Sequence, residues 1–142
     1  MSRRISGRRR FAMMHQPKIL VVEDENIIAL DIQFILESFG YKVCGIVSSG
    51  EESIESAFRT NPDLVLMDIK LRGKMDGVSA ARHIQSRFNI PVIYLTAYGD
   101  ENSLNRVDKT KPFGYIHKPF EEVELRSKIE NVLNDGCQPH LN

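Results

Sequence analysis

Tryptophan is absent from the 142 residues, and cysteine occurs only twice. Cys44 and Cys137 stand far apart and form no CxxC pair. That argues against a disulfide framework and points to a reducing, cytosolic setting. No stretch approaches the ~18 consecutive apolar residues of a membrane span. The four histidines, His15, His83, His117 and His140, lack zinc-like spacing to any other ligand and read as surface or capping residues. GxGxxG does not occur, so a dinucleotide-binding reading has no support. GIVSSGEES (Gly45–Ser53) has the two glycines of a P-loop between a strand and a helix, but Glu51 and Glu52 occupy the lysine and hydroxyl positions. Carboxylates there would repel phosphates, which leaves an ordinary strand-to-helix turn.

Net charge is missing too: nineteen basic residues cancel nineteen acidic ones, so the chain as a whole carries no strong hint of nucleic acid. The balance is uneven, however. The first sixteen residues, MSRRISGRRRFAMMHQ, hold five arginines and no acid, so the remainder is acidic by the same five charges. They read as a flexible basic tail. The alternative is a polyanion-binding arm, which salt-sensitive DNA binding lost on deleting residues 1–16 would support. They do not make a signal peptide, because no apolar stretch of useful length follows the arginines. The length favours one domain with one core of ordinary size.

From Pro17 onward, short apolar runs alternate with helical patterns. KILVV (Lys18–Val22), YKVCGIV (Tyr41–Val47), DLVLM (Asp63–Met67), PVIYLT (Pro91–Thr96) and GYIH (Gly114–His117) read as five buried strands. After the first, Asp24 is a candidate helix cap, and Ile28, Ile32, Ile35 and Phe39 recur at helical spacing until Gly40. Ser48–Thr60 predicts a serine-capped helix with Ile54, Ala57 and Phe58 inward. Val78, Ala81, Ile84 and Phe88 mark a third helix. Asp100–Asp108 is a fourth, with only Leu104 and Val107 as anchors. Phe120–Asn134 is the fifth, with Leu125, Ile129, Val132 and Leu133 inward. Residues 136–142 read as a short C-terminal tail. Five such strands separated by helices imply an α/β fold, a parallel sheet covered on both faces. Ligands of such sheets gather at the carboxyl ends of the strands.

Each strand end carries polar chemistry. Glu23 and Asp24 follow the first strand, Asp68 the third, Thr96 ends the fourth and Lys118 follows the fifth. In a parallel sheet these share one edge. Three carboxylates and one ammonium leave a surplus of negative charge, and close carboxylates repel unless a cation neutralises them. Mg²⁺ suits such a site, since it takes one or two carboxylates, waters and phosphate oxygens; Mn²⁺ could replace it. Lys118 and Thr96 then complete a cradle for a phosphoryl group beside Asp68, and an aspartate can itself be the phosphoryl-accepting nucleophile.

Glu23-Asp24 after ILVV, Asp68 after LVLM, LTA (Leu95–Ala97) and KPF (Lys118–Phe120), in this order, resemble the receiver domain of two-component response regulators. The resemblance covers about Lys18–Asn134, and the domain is drawn at 17–135. It implies a flavodoxin-like, doubly wound (βα)5 sandwich with strand order 2-1-3-4-5. It also implies that Asp68 accepts a phosphoryl group from the phosphohistidine of a sensor histidine kinase or phosphotransfer protein. Asp24 would bind Mg²⁺ directly, Glu23 directly or through water, and the Lys70 carbonyl would be a further ligand. Thr96 would hydrogen-bond the phosphoryl, Lys118 would pair with it, and Tyr115 would be the aromatic that turns inward as Thr96 moves. Lys70 and Tyr98 occupy positions that tune phosphoryl lifetime, with Tyr98 expected to shield the phosphoryl from water. The Lys118–Pro119 bond is often cis in the family.

Two features depart from the family pattern. DIKLRGKMDG is one residue longer than the usual loop, with Leu71-Arg72 where Met-Pro is common, and Gly73 is the residue able to absorb the addition. Glu23 stands where many receivers have aspartate. The implied output is a downstream protein partner on the face of helix four, strand five and helix five, with a homodimer also compatible. No effector segment follows within the chain, so DNA binding is not expected from it. The chain reads either as a stand-alone regulator or as a module of a longer one, such as a hybrid kinase. The competing class is an aspartyl-nucleophile phosphohydrolase of the haloacid-dehalogenase kind. That class would place a second aspartate where Lys70 stands.

Overall fold

In a computed structural model, residues 16–137 are described. The first fifteen residues and 138–142 lie outside them, and with them most of both expected tails. Five strands form one sheet: β1 (Lys18–Val22), β2 (Lys42–Val47), β3 (Leu64–Asp68), β4 (Val92–Thr96) and β5 (Phe113–His117). All pairings are parallel, in the order β2-β1-β3-β4-β5. The helices are α1 (Asn26–Ser38), α2 (Gly50–Thr60), α3 (Gly77–Phe88), α4 (Glu101–Leu104) and α5 (Glu122–Cys137).

Alternation along the buried strands splits the core in two. Leu20, Val22, Val65, Met67, Val92 and Tyr94 face one side, where Ala57 of α2 and Val78, Ala81 and Ile84 of α3 cover them. Ile19, Val21, Leu64, Leu66, Ile93, Leu95 and Ile116 face the other side. There they meet Ile32, Ile35 and Leu36 of α1 and Leu125, Ile129 and Val132 of α5. This is the doubly wound arrangement expected from the strand–helix alternation.

Four local expectations are corrected. Asp24 does not cap α1: the cap position is Glu25, without a side-chain cap bond. Phe58 points outward and leans on Phe88, with ring centroids 6.0 Å apart. The Asp100–Asp108 helix shrinks to Glu101–Leu104, followed by i→i+3 turns closing at Asn105, Arg106 and Val107. Its two apolar anchors, Leu104 and Val107, stand three apart, which suits such tight turns, and Asn102, Ser103 and Asn105 are weak helix formers. Finally, α5 begins at Glu122 and continues through Cys137, past Asn134.

The other caps follow local chemistry. Ser49 accepts from the Glu52 N–H at the start of α2, and Asp76 accepts from the Ser79 N–H at the start of α3. Asn61 and Asn89 close α2 and α3 in the left-handed region.

Candidate functional site

Strand register assembles the site. Val22 pairs with Met67, Asp68 with Leu95, and Thr96 with His117. The residues just past these pairs therefore converge on one sheet edge. Glu23, Asp24 and Asp68 each offer a carboxylate oxygen within 4.8 Å of the others. Glu23 is 1% exposed and Asp68 6% exposed.

Lys118 bridges the two buried acids. Its Nζ lies 3.1 Å from Glu23 Oε1 and 3.1 Å from Asp68 Oδ2. The Lys118–Pro119 bond is cis. Burial and the neighbouring Asp68 charge hold the Glu23 carboxyl above its ordinary range, against the pull of Lys118. Burial works against the Lys118 charge, but Asp68 and Glu23 together outweigh it and raise the ammonium's pKa. The second Asp68 oxygen, Oδ1, accepts from the Lys70 N–H at 3.2 Å. Asp24 is more open, and its carboxylate lies 3.7 Å from the Arg72 guanidinium. The Glu25 N–H instead donates to Glu23 Oε2. Asp24 is thus turned to the site rather than to the helix.

The loop after β3 is held by backbone geometry. The Gly77 N–H donates to the Ile69 carbonyl at 2.8 Å, closing the loop. Gly73 has φ +94°, a conformation side chains rarely adopt, so glycine there lets the longer loop turn. Arg72 pairs with Ser49 through an isolated bridge, which fastens the loop to the start of α2.

The remaining candidates divide. Thr96, 1% exposed, lies at the same edge, but its hydroxyl is 2.8 Å from His117 Nδ1 and also reaches the Ile116 carbonyl at 3.4 Å. Tyr115, 43% exposed, stands edge-on to the His117 ring, with Lys128 over its own ring. The Lys70 ammonium reaches away to Asp100, at 3.4 Å. Tyr98 is 97% exposed and is not brought to the carboxylates.

Two functional candidates escaped the sequence. His117 is one, dismissed there with the scattered histidines. The signal available was its position two after Tyr115, on the same strand face, and directly opposite Thr96. Asp100 is the other: it is buried, and its Oδ2 accepts from the Ala97 N–H at 2.8 Å, so it shapes the loop after Thr96. Among the described residues, no helix is long and apolar enough to cross a membrane.

Comparison with known proteins agrees with this fold. The transcriptional regulatory protein PdtaR of Mycobacterium tuberculosis is 34% identical over 117 residues, 82% of this chain and 57% of that protein. The chain thus spans little more than half of that relative, whose activity as a whole is not carried over. The signal receiver domain of a modulated diguanylate cyclase from Desulfovibrio desulfuricans G20 superposes with a TM-score of 0.81 at 34% identity, covering 88% of this chain and 99% of that one. The receiver domain of the sensor histidine kinase PA1611 from Pseudomonas aeruginosa PAO1, with a magnesium ion coordinated in its active-site cleft, gives a TM-score of 0.74 at 33% identity, covering 84% and 98%. The family model described as response regulator receiver domain matches residues 19–130, most of the chain, so the chain belongs to the response regulator receiver family.

Proposed function

We propose that this receiver takes a phosphoryl group onto Asp68 from the phosphohistidine of a sensor histidine kinase or a histidine phosphotransfer protein. The observation that carries this is the setting of Asp68. It is a nearly buried carboxylate at a strand tip, 3.1 Å from Lys118, within a cluster of acids whose oxygens approach within 4.8 Å. An Asp68 oxygen forms the new O–P bond as the P–N bond to the donor imidazole breaks, and the electron pair leaves with that nitrogen.

The donor set fits a hard divalent cation: all-oxygen, anionic and partly open at Asp24. Glu23, Asp24 and Asp68, with the Lys70 carbonyl, would hold Mg²⁺ or Mn²⁺. The magnesium in the PA1611 receiver supports this assignment. When bound, the cation neutralises phosphoryl and carboxylate charge. Lys118 supplies a second positive charge to the phosphoryl oxygens, and Thr96 a hydroxyl donor. Drawing Thr96 toward the phosphoryl frees space for Tyr115 and repacks the face of α4, β5 and α5, where a downstream protein would bind. Phosphorylation shifts a pre-existing population toward that state. Lys70 and Tyr98, two residues after Asp68 and Thr96 in the chain, are the positions that would tune phosphoryl lifetime, although neither side chain is held against the carboxylates in this state. Residues 17–135 form the receiver unit.

The test is incubation with phosphoramidate and Mg²⁺, read by intact mass. Wild type is expected to gain one phosphoryl group and Asp68→Asn none. Equal labelling of Asp68→Asn would overturn the assignment. Turnover of a small phosphate ester in excess over protein would instead indicate a phosphohydrolase.

A further inference from the structure

The expected switch pair is occupied by a third residue. The Thr96 hydroxyl, on a side chain 1% exposed, is engaged by His117 Nδ1 at 2.8 Å. The same imidazole stands edge-on to Tyr115, with ring centroids 5.9 Å apart and an interplanar angle of 84°. Register explains why one ring touches both. Thr96 and His117 are cross-strand partners, and Tyr115 and His117 lie two apart on one face of β5. Lys128 of α5 lies over the Tyr115 ring, 5.7 Å from its centroid.

We infer that His117 is a latch that holds the receiver in its resting state, keeping the Thr96 hydroxyl turned toward β5 and the Tyr115 ring outward. This rests on the proposed phosphoryl-accepting function. Whichever partner donates in the Thr96–His117 bond, the one hydroxyl proton is directed at β5, to His117 Nδ1 or to the Ile116 carbonyl, so the hydroxyl must turn away from β5 to donate to a phosphoryl oxygen on Asp68. Activation therefore breaks the Thr96–His117 bond, and the strength of that bond sets part of the resting bias. His117 touches neither the acceptor nor the phosphoryl, so it is a positioning residue acting through Thr96.

A ligand selecting a sparsely populated state binds more weakly in proportion to that population. Removing the latch should thus tighten binding of a phosphoryl mimic. The net worth of one hydrogen bond corresponds to roughly two- to ten-fold. The probe is beryllofluoride with Mg²⁺, titrated while the Tyr115 ring resonances are followed by NMR. His117→Leu removes the bond but keeps apolar bulk. His117→Asn keeps a polar atom near the position of Nδ1.

His117→Leu is expected to bind beryllofluoride tighter by that factor, with resting Tyr115 resonances displaced toward their bound positions. His117→Asn is expected to stay near wild type. In a Thr96→Val background the His117→Leu effect should vanish, because the bond is already absent. An unchanged affinity in His117→Leu, an Asn variant behaving like the Leu variant, or an effect that persists in Thr96→Val would each overturn the latch. Failure of the underlying function looks different: wild type would neither bind beryllofluoride nor gain phosphoryl mass at Asp68.

Discussion

At Gly77 the main chain passes so close to the end of β3 that a Cβ would lie 2.1 Å from the Asp68 carbonyl oxygen and 2.9 Å from the Ile69 Cα. Both neighbours are backbone, so neither can rotate away. Gly77→Ala is therefore expected to lower unfolding stability by about 3 kcal/mol, the upper range of overpacking costs, measured by urea denaturation. It should also slow phosphoramidate labelling, because the strain falls on Asp68, the residue proposed to accept the phosphoryl. The same close approach explains why Gly77 follows the α3 cap directly. Residue chemistry of this kind was only half legible in the sequence. Asp68, Lys118 and the acids after β1 were readable because strand ends expose whatever polar residue follows an apolar run. His117 was not, because its meaning comes from Thr96, twenty-one residues away in the chain and directly across the β4–β5 ladder.

The elements around α4 show how little regular structure holds the expected switching face. α4 has four helical residues. Its following turns are tied back by Arg106, whose guanidinium reaches Asp76 at 2.7 Å and Ser79 Oγ at 2.9 Å, while Arg82 donates to the Arg106 carbonyl. Asp76 thus serves both as the α3 cap and as the partner of Arg106. The Arg106 hydrogen bond, with the Ser79 N–H, holds the Asp76 carboxyl below its ordinary value of 3.8 despite partial burial. A lowered folded-state pKa means this contribution is complete above about pH 4 and is lost as pH falls through the folded value. Asp76→Asn keeps the cap but loses the charge, so its acid unfolding profile should be flatter below pH 4 than that of wild type. Asp76→Ala loses the cap as well and should cost about 1 kcal/mol at neutral pH. The half-exposed ion pair itself adds little. Thermal melts across pH check both. The sequence overextended α4 because Leu104 and Val107 fit a helical spacing as well as a tight turn. The i→i+3 hydrogen bonds at Asn105, Arg106 and Val107 are what distinguish them.

Across the whole molecule, the sheet holds like charges together at one edge, with one ammonium among three carboxylates. A cation that binds the folded edge and not the unfolded chain must stabilise the fold. At a hundred times its dissociation constant the gain is about 2.7 kcal/mol. Mg²⁺ should accordingly raise the melting temperature by several degrees over EDTA, followed by circular dichroism. Asp24→Asn should remove most of the shift, and an unchanged shift would place the cation elsewhere. The arrangement of the fold was legible because it is written in periodicity. Apolar runs of strand length separated by helical spacing admit few topologies, and the acids stand at the tips in chain order. What only the tertiary structure decided is which polar groups meet. Asp24 faces Arg72 instead of capping α1, Lys70 reaches Asp100, Phe58 stays outside, and His117 takes the Thr96 hydroxyl. Apolar burial is non-directional and leaves its signature in local pattern. A hydrogen bond depends on distances of a few tenths of an ångström between residues remote in the chain, and no local pattern encodes those.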